Sequence, residues 1–138
     1  MNSTHQSNTP ANQPSNGKFG WLLVCGVLGA TAVAIGAVAA HALADPRAAL
    51  SVERASNYQL FHAIALIALL SYEGRLIQLS RWFMLAGILG FSGAIYAKYL
   101  LGVPALGSIA PVGGSLLILS WLVLAVAGAI GSLPRRSV

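Results

Sequence analysis

Six polar residues stand inside otherwise apolar runs: His41, Tyr58, Gln59, His62, Ser92 and Tyr96. Polar groups in such surroundings are costly to hold and mark functional sites by default. Tyr58, Gln59 and His62 are three and four residues apart, so on a helix they share one face. Ser92, Tyr96 and Tyr99 line up along a face of their own. Three chemistries are open to this set. A hydrogen-bonded plug would tie helix ends together, each bond contributing about 0.6 kcal/mol in a bilayer. A metal or haem site would use His41 and His62, because neutral imidazole is the commonest metal ligand. A small-molecule or proton-relay site would use the change of imidazole charge near neutral pH. No cysteine or close carboxylate cluster completes a metal sphere around the two histidines, so no cofactor is expected. No nucleophile with its base, no glycine-rich phosphate loop and no paired carboxylates stand out, so no enzyme is expected either. Asp45 and Glu53 are expected in a loop, where Arg47 and Arg54 balance them.

The elements that hold these residues follow from composition. Of 138 residues 57% are apolar and 8% charged. An ordinary soluble domain has about 25% charged residues. Eight Lys/Arg and three Asp/Glu cannot cover a water-facing surface of this size. A soluble enzyme and a disordered regulator are thereby disfavoured. The net charge of +5 is scattered, with no basic stripe and interleaved aromatics, so no nucleic acid is expected as a partner. The single Cys25 cannot form an internal disulfide, and inside an apolar run it reads as a small hydrophobe.

Charges punctuate the chain and leave uncharged stretches that call for lipid. A spanning helix needs about 20 apolar residues at ~1.5 Å rise. The spans expected are about 19–43, 55–72, 82–101 and 111–130, with Lys98 snorkelling to the interface and Pro111 in a first helical turn. Continuous rather than alternating runs specify helices and not barrel strands. The fold class expected is an all-α, integral membrane four-helix bundle with short loops. Residues 1–17, rich in Asn, Ser, Thr, Gln and Pro, are expected to be a disordered polar tail, residues 18–134 the four-helix domain and 135–138 a basic tail. Lys18, Arg75, Arg81, Arg135 and Arg136 would share a side, against Arg47, Arg54 and Lys98 on the other, which favours both termini in the cytoplasm. The polar set would then lie near the non-cytoplasmic face, with His41 and His62 at similar depth. Trp21, Tyr72 and Trp82 fit an interfacial belt, and Trp121 falls mid-span as a packing residue. Small residues recur at close-packing intervals, Gly36, Gly90, Gly93, Gly113 and Gly114 among them, and predict tight helix contacts. The function expected is that of a structural or accessory bundle associating through such faces with a second copy or a larger membrane complex. The alternative is a binding or transport component with a polar site on His41, Gln59, His62 and Tyr96 near the non-cytoplasmic face.

Several segments are also similar to a known pattern. Gly36 with Ala40-His41-Ala42-Leu43, Tyr58-Gln59-Leu60-Phe61-His62-Ala63, Gly90-Phe91-Ser92-Gly93-Ala94-Ile95-Tyr96 and Ile109-Ala110-Pro111-Val112-Gly113-Gly114 occur in that order. Together they resemble the YgdD/YwdK-like family of small uncharacterised four-span membrane proteins (domain of unknown function four-two-three). The resemblance runs from about Trp21 to Ile130. Ala40 stands where that family usually has Gly, Ala110 where it has Thr, and Val52 where an aromatic is expected. The resemblance implies a multi-pass protein of the bacterial inner membrane, without an established reaction.

Overall fold

A computed structural model describes residues 16–131. The tail expected over 1–17 and the basic tail over 135–138 lie outside these residues, except for 16 and 17. The described residues form helices joined by short turns, with no strand among them. Helix α1 is Asn16–His41, α2 is Pro46–Leu69 and α3 is Arg75–Ile88. The third rod continues through a π-helical segment, Leu89–Gly93, into α4, Ala94–Tyr99. A 3₁₀ turn, Pro104–Ile109, leads into α5, Ala110–Ala129. Gly102, at φ 68°, makes the turn that ends the third rod. That conformation is open to glycine at little cost.

Three rods are long and apolar enough to cross a membrane: Gly17–His41, Arg75–Tyr99 and Pro104–Ala129. Helix α2 is the more polar one, and it begins at Pro46, well before the residue 55 expected from charge spacing. The cause is local. Asp45 caps the helix, its carboxylate accepting from the backbone N–H of Arg47 at 3.1 Å and of Ala48 at 3.3 Å. Such a cap satisfies N–H groups that the first turn leaves without partners. Pro46 takes the first helical position, where its missing N–H costs nothing. Arg47, Glu53 and Arg54 therefore ride on the first turns of a helix rather than in a loop. The third rod likewise starts earlier than Trp82, at Arg75.

Helix α1 pairs with α2, α3 pairs with α5, and α2 joins the two pairs by touching α3, the π segment and α4. No comparable interface joins α1 to α5 among the described residues. One end of the bundle is filled by bulky side chains, Leu28, Leu66, Ile77, Met84 and Ile88, with Cys25 buried among them. Towards the other end the buried residues are small: Ala39, Ala48, Val52, Ala55, Ala94 and Ala97. Lipid gives apolar side chains no hydrophobic drive to associate, so close backbone approach carries the packing there.

That approach depends on particular glycines. A methyl group at Gly87 would come 2.6 Å from Leu117 Cδ2, and one at Gly90 would come 3.0 Å from the Cα of Gly113. A methyl group at Gly113 would collide with the backbone of Gly90 and Phe91. Gly36 faces Ser56 Oγ, 3.1 Å from where a Cβ would stand. Gly114 makes ordinary contact with the Phe91 ring, and Gly93 faces open space. The close contacts therefore gather where the third rod crosses α5.

Candidate functional site

The six polar residues do not converge. His41 ends α1, exposed, and the chain then turns back. His62 lies sixteen residues inside α2. That is about 24 Å along the axis at ~1.5 Å per residue. The two imidazoles are therefore not at similar depth; the early start of α2 carries His62 towards the middle of the bundle. Gln59 faces α1. Its amide Nε2 donates to the Leu28 carbonyl at 2.7 Å and to Thr31 Oγ1 at 2.8 Å, locking α2 onto α1. Ser92, in the π segment, donates to the Ala55 carbonyl at 2.8 Å and locks that segment onto α2. The Tyr96 hydroxyl is buried with no hydrogen-bond partner among the described residues. A further lock outside the set joins α3 to α5, where Ser80 Oγ donates to the Ser120 carbonyl at 2.8 Å.

Tyr58 and His62 do share a site, with partners from two other elements. His62 Nε2 accepts the indole N–H of Trp121, on α5, at 3.1 Å. Its Nδ1 lies 2.7 Å from the Tyr58 carbonyl. An indole N–H only donates and a carbonyl only accepts, so both bonds are satisfied by the neutral imidazole with its proton on Nδ1. Tyr58 stacks on His62 with ring centroids 6.0 Å apart and meets Phe91, in the π segment, at 5.3 Å. His62 meets Trp121 edge-on at 6.0 Å. These four rings wall a groove of about 600 Å³ between α2 and α5. Arg54 stands at its polar end with Ser115 on the wall, and Leu117 and Ile118 supply apolar surface. The groove opens on the flank of the bundle, since Tyr58, Ile118 and Trp121 are all exposed there.

The π segment makes this geometry. One extra residue per turn widens the helix, and such insertions often sit at functional sites. Here the widened turn presents Phe91 to the groove, sends Ser92 to α2 and receives Gly113 of α5. The groove residues missed from the sequence are Trp121, Phe91, Arg54 and Ser115. Trp121 carried a signal, because an indole N–H inside an apolar span needs a partner. The Asp45-Pro46 pair carried another, being a cap followed by a first-turn proline, which places His62 at mid-depth.

Chemically the groove offers a cation, a hydroxyl, an aromatic box and an apolar floor. It suits a molecule with a polar head and an apolar body. A metal or haem at His62 would first have to displace the Trp121 N–H. Among the described residues no group of three or more His, Cys, Asp or Glu converges.

Apolar rods of spanning length in an all-helical bundle define a multi-pass membrane protein. Comparison with known proteins gives the family. The profile of the family described as "Protein of unknown function (DUF423)" matches residues 35–114, and the chain belongs to that family. A UPF0382 membrane protein of Staphylococcus aureus (strain bovine RF122 / ET3-1) is 37% identical over 112 residues, covering 76% of this chain and 92% of its own. One from Haemophilus influenzae is 35% identical over 113 residues, covering 76% and 90%. The UPF0382 membrane protein YwdK of Bacillus subtilis is 34% identical over 104 residues, covering 70% and 85%. No solved structure gives a significant match.

Proposed function

We propose that this small membrane protein is a non-enzymatic binding component that holds an amphipathic small molecule in the groove between α2 and α5, without a prosthetic group. The observation that carries this reading is the His62–Trp121 hydrogen bond on the wall of a groove that also holds Arg54. An apolar body would lie along Phe91, Leu117 and Ile118, and a hydrogen-bonding or anionic head would meet Arg54 and Ser115. The protein would act in the bacterial inner membrane with both termini in the cytoplasm.

Gentle purification from the native membrane, followed by mass spectrometry of extracted small molecules, tests the proposal. The wild type should carry one amphiphile in near-stoichiometric amount. Ile118→Trp, at an exposed position on the groove wall, should lose it while remaining folded. An Ile118→Trp protein that retains the same molecule, or a wild type that carries none, overturns the proposal.

A second reading, association with another copy or with a larger membrane complex, is favoured by α1. Gly26 and Gly29 have no neighbour within 4 Å of where a side chain would begin, leaving that face of α1 uncovered. Intermolecular cross-linking through a cysteine placed at Gly26, in a Cys25→Ala background, tests it; a purely monomeric pattern in native membranes overturns it.

A further inference from the structure

A second cleft, of about 280 Å³, lies where the α2–α3 turn meets the start of α1. Its walls are Lys18, Trp21, Tyr72, Glu73, Gln78 and Arg81. Arg81 is only 8% exposed. That is an unusual state for a guanidinium. Its Nη2 donates to the Tyr72 carbonyl at 2.7 Å, and its Nε has no partner among the described residues. Glu73 is the nearby carboxylate, and it is shared with Lys18, so the buried guanidinium charge is answered only in part, which is costly. The same cleft receives the start of α3, whose cap, Gly74, supplies no side-chain hydrogen bond. The first N–H groups of that helix and its dipole also favour an anion. Lys18 stands at the rim, 3.4 Å from Glu73 Oε1 in an exposed ion pair. Such a pair is worth little and is easily rearranged. Glu73 is the one carboxylate lining the cleft among the described residues, so Lys18 and Arg81 leave it with an excess of positive charge.

Trp21 and Trp82 meet edge-on beside the cleft, with centroids 5.1 Å apart. Paired indoles at a helix end mark the level of lipid headgroups. We propose that this cleft is a phosphate-binding site, with Arg81 as its floor and the uncapped start of α3 as its wall. The ligand chemistry is a phosphate anion, met either as the headgroup phosphodiester of an anionic phospholipid or as free phosphate. The site is independent of the α2–α5 groove.

Native mass spectrometry of the full chain, in micelles doped with phosphatidylglycerol or with phosphatidylcholine, tests the lipid source. Thermal unfolding in inorganic phosphate against chloride at matched ionic strength tests the free anion. Preferential retention of one phosphatidylglycerol supports the site with a lipid occupant. Stabilisation by phosphate without lipid preference supports it with a free one. Arg81→Lys keeps the charge and loses the planar fork, and should weaken whichever binding is seen by about tenfold. Should that variant fail to fold, Gln78→Glu places a second carboxylate in the cleft at an exposed position and should abolish binding. Glu73→Gln should strengthen it. No preference in either assay, or equal binding by wild type and Gln78→Glu, overturns the proposal.

Discussion

At the scale of single residues, the polar side chains inside this bundle divide by what they touch. Gln59, Ser80 and Ser92 each reach a backbone carbonyl on another helix. Those carbonyls already serve their own helices, so such bonds add stability without creating a reactive group. His62 differs because both of its nitrogens are engaged by groups of fixed sense, a carbonyl and an indole N–H. Nitrogen-15 NMR of the imidazole should therefore show the neutral tautomer protonated at Nδ1. Trp121→Phe removes the donor and leaves Nε2 without its partner, at a cost of about 1 kcal/mol in a membrane setting. Reversible unfolding in mixed micelles measures that cost. An unchanged stability together with an unchanged imidazole spectrum would show that the bond is not made.

At the scale of elements, the third rod and α5 form the tightest pair, and glycine makes it so. A side chain at Gly113 would clash with backbone that cannot step aside. Gly113→Ala should therefore cost about 3 kcal/mol or prevent folding. Gly93 lies on the same rod but faces open space. Gly93→Ala should change stability by no more than about 0.5 kcal/mol. Expression level and unfolding midpoint of the two variants check the contrast. This scale also shows what was legible in the chain. Four helical rods followed from uncharged runs, because hydrocarbon accepts only backbone that satisfies itself. The starts of α2 and of the third rod did not, since boundaries drawn at charges overlook caps. The Asp45-Pro46 pair held the first of these in plain view. The π segment had no local signal of comparable strength: Leu89–Gly93 reads as ordinary helix until Gly113 and Ala55 are brought against it. For that reason the partnership of His62 with Trp121, residues 59 apart in the chain, was not legible either.

At the scale of the whole molecule, the two ends differ in how they are filled. The end holding Lys18, Arg75 and Arg81 is packed with bulky apolar residues, and the end holding Arg47, Arg54 and Lys98 with small ones. If the first end faces the cytoplasm, a membrane-impermeant amine reagent applied to intact spheroplasts should modify Lys98 and spare Lys18. The reverse pattern would invert the orientation. Lys98 is exposed for such labelling, with its ammonium 4.8 Å from the Tyr99 ring centroid at the end of its rod.

The flank opening between α2 and α5 has a consequence for traffic. A molecule seated against Trp121 would arrive by diffusing sideways through the leaflets, not through water along the bundle axis. Its occupancy would track its mole fraction among the surrounding lipids, and dilution of the aqueous phase would leave it bound.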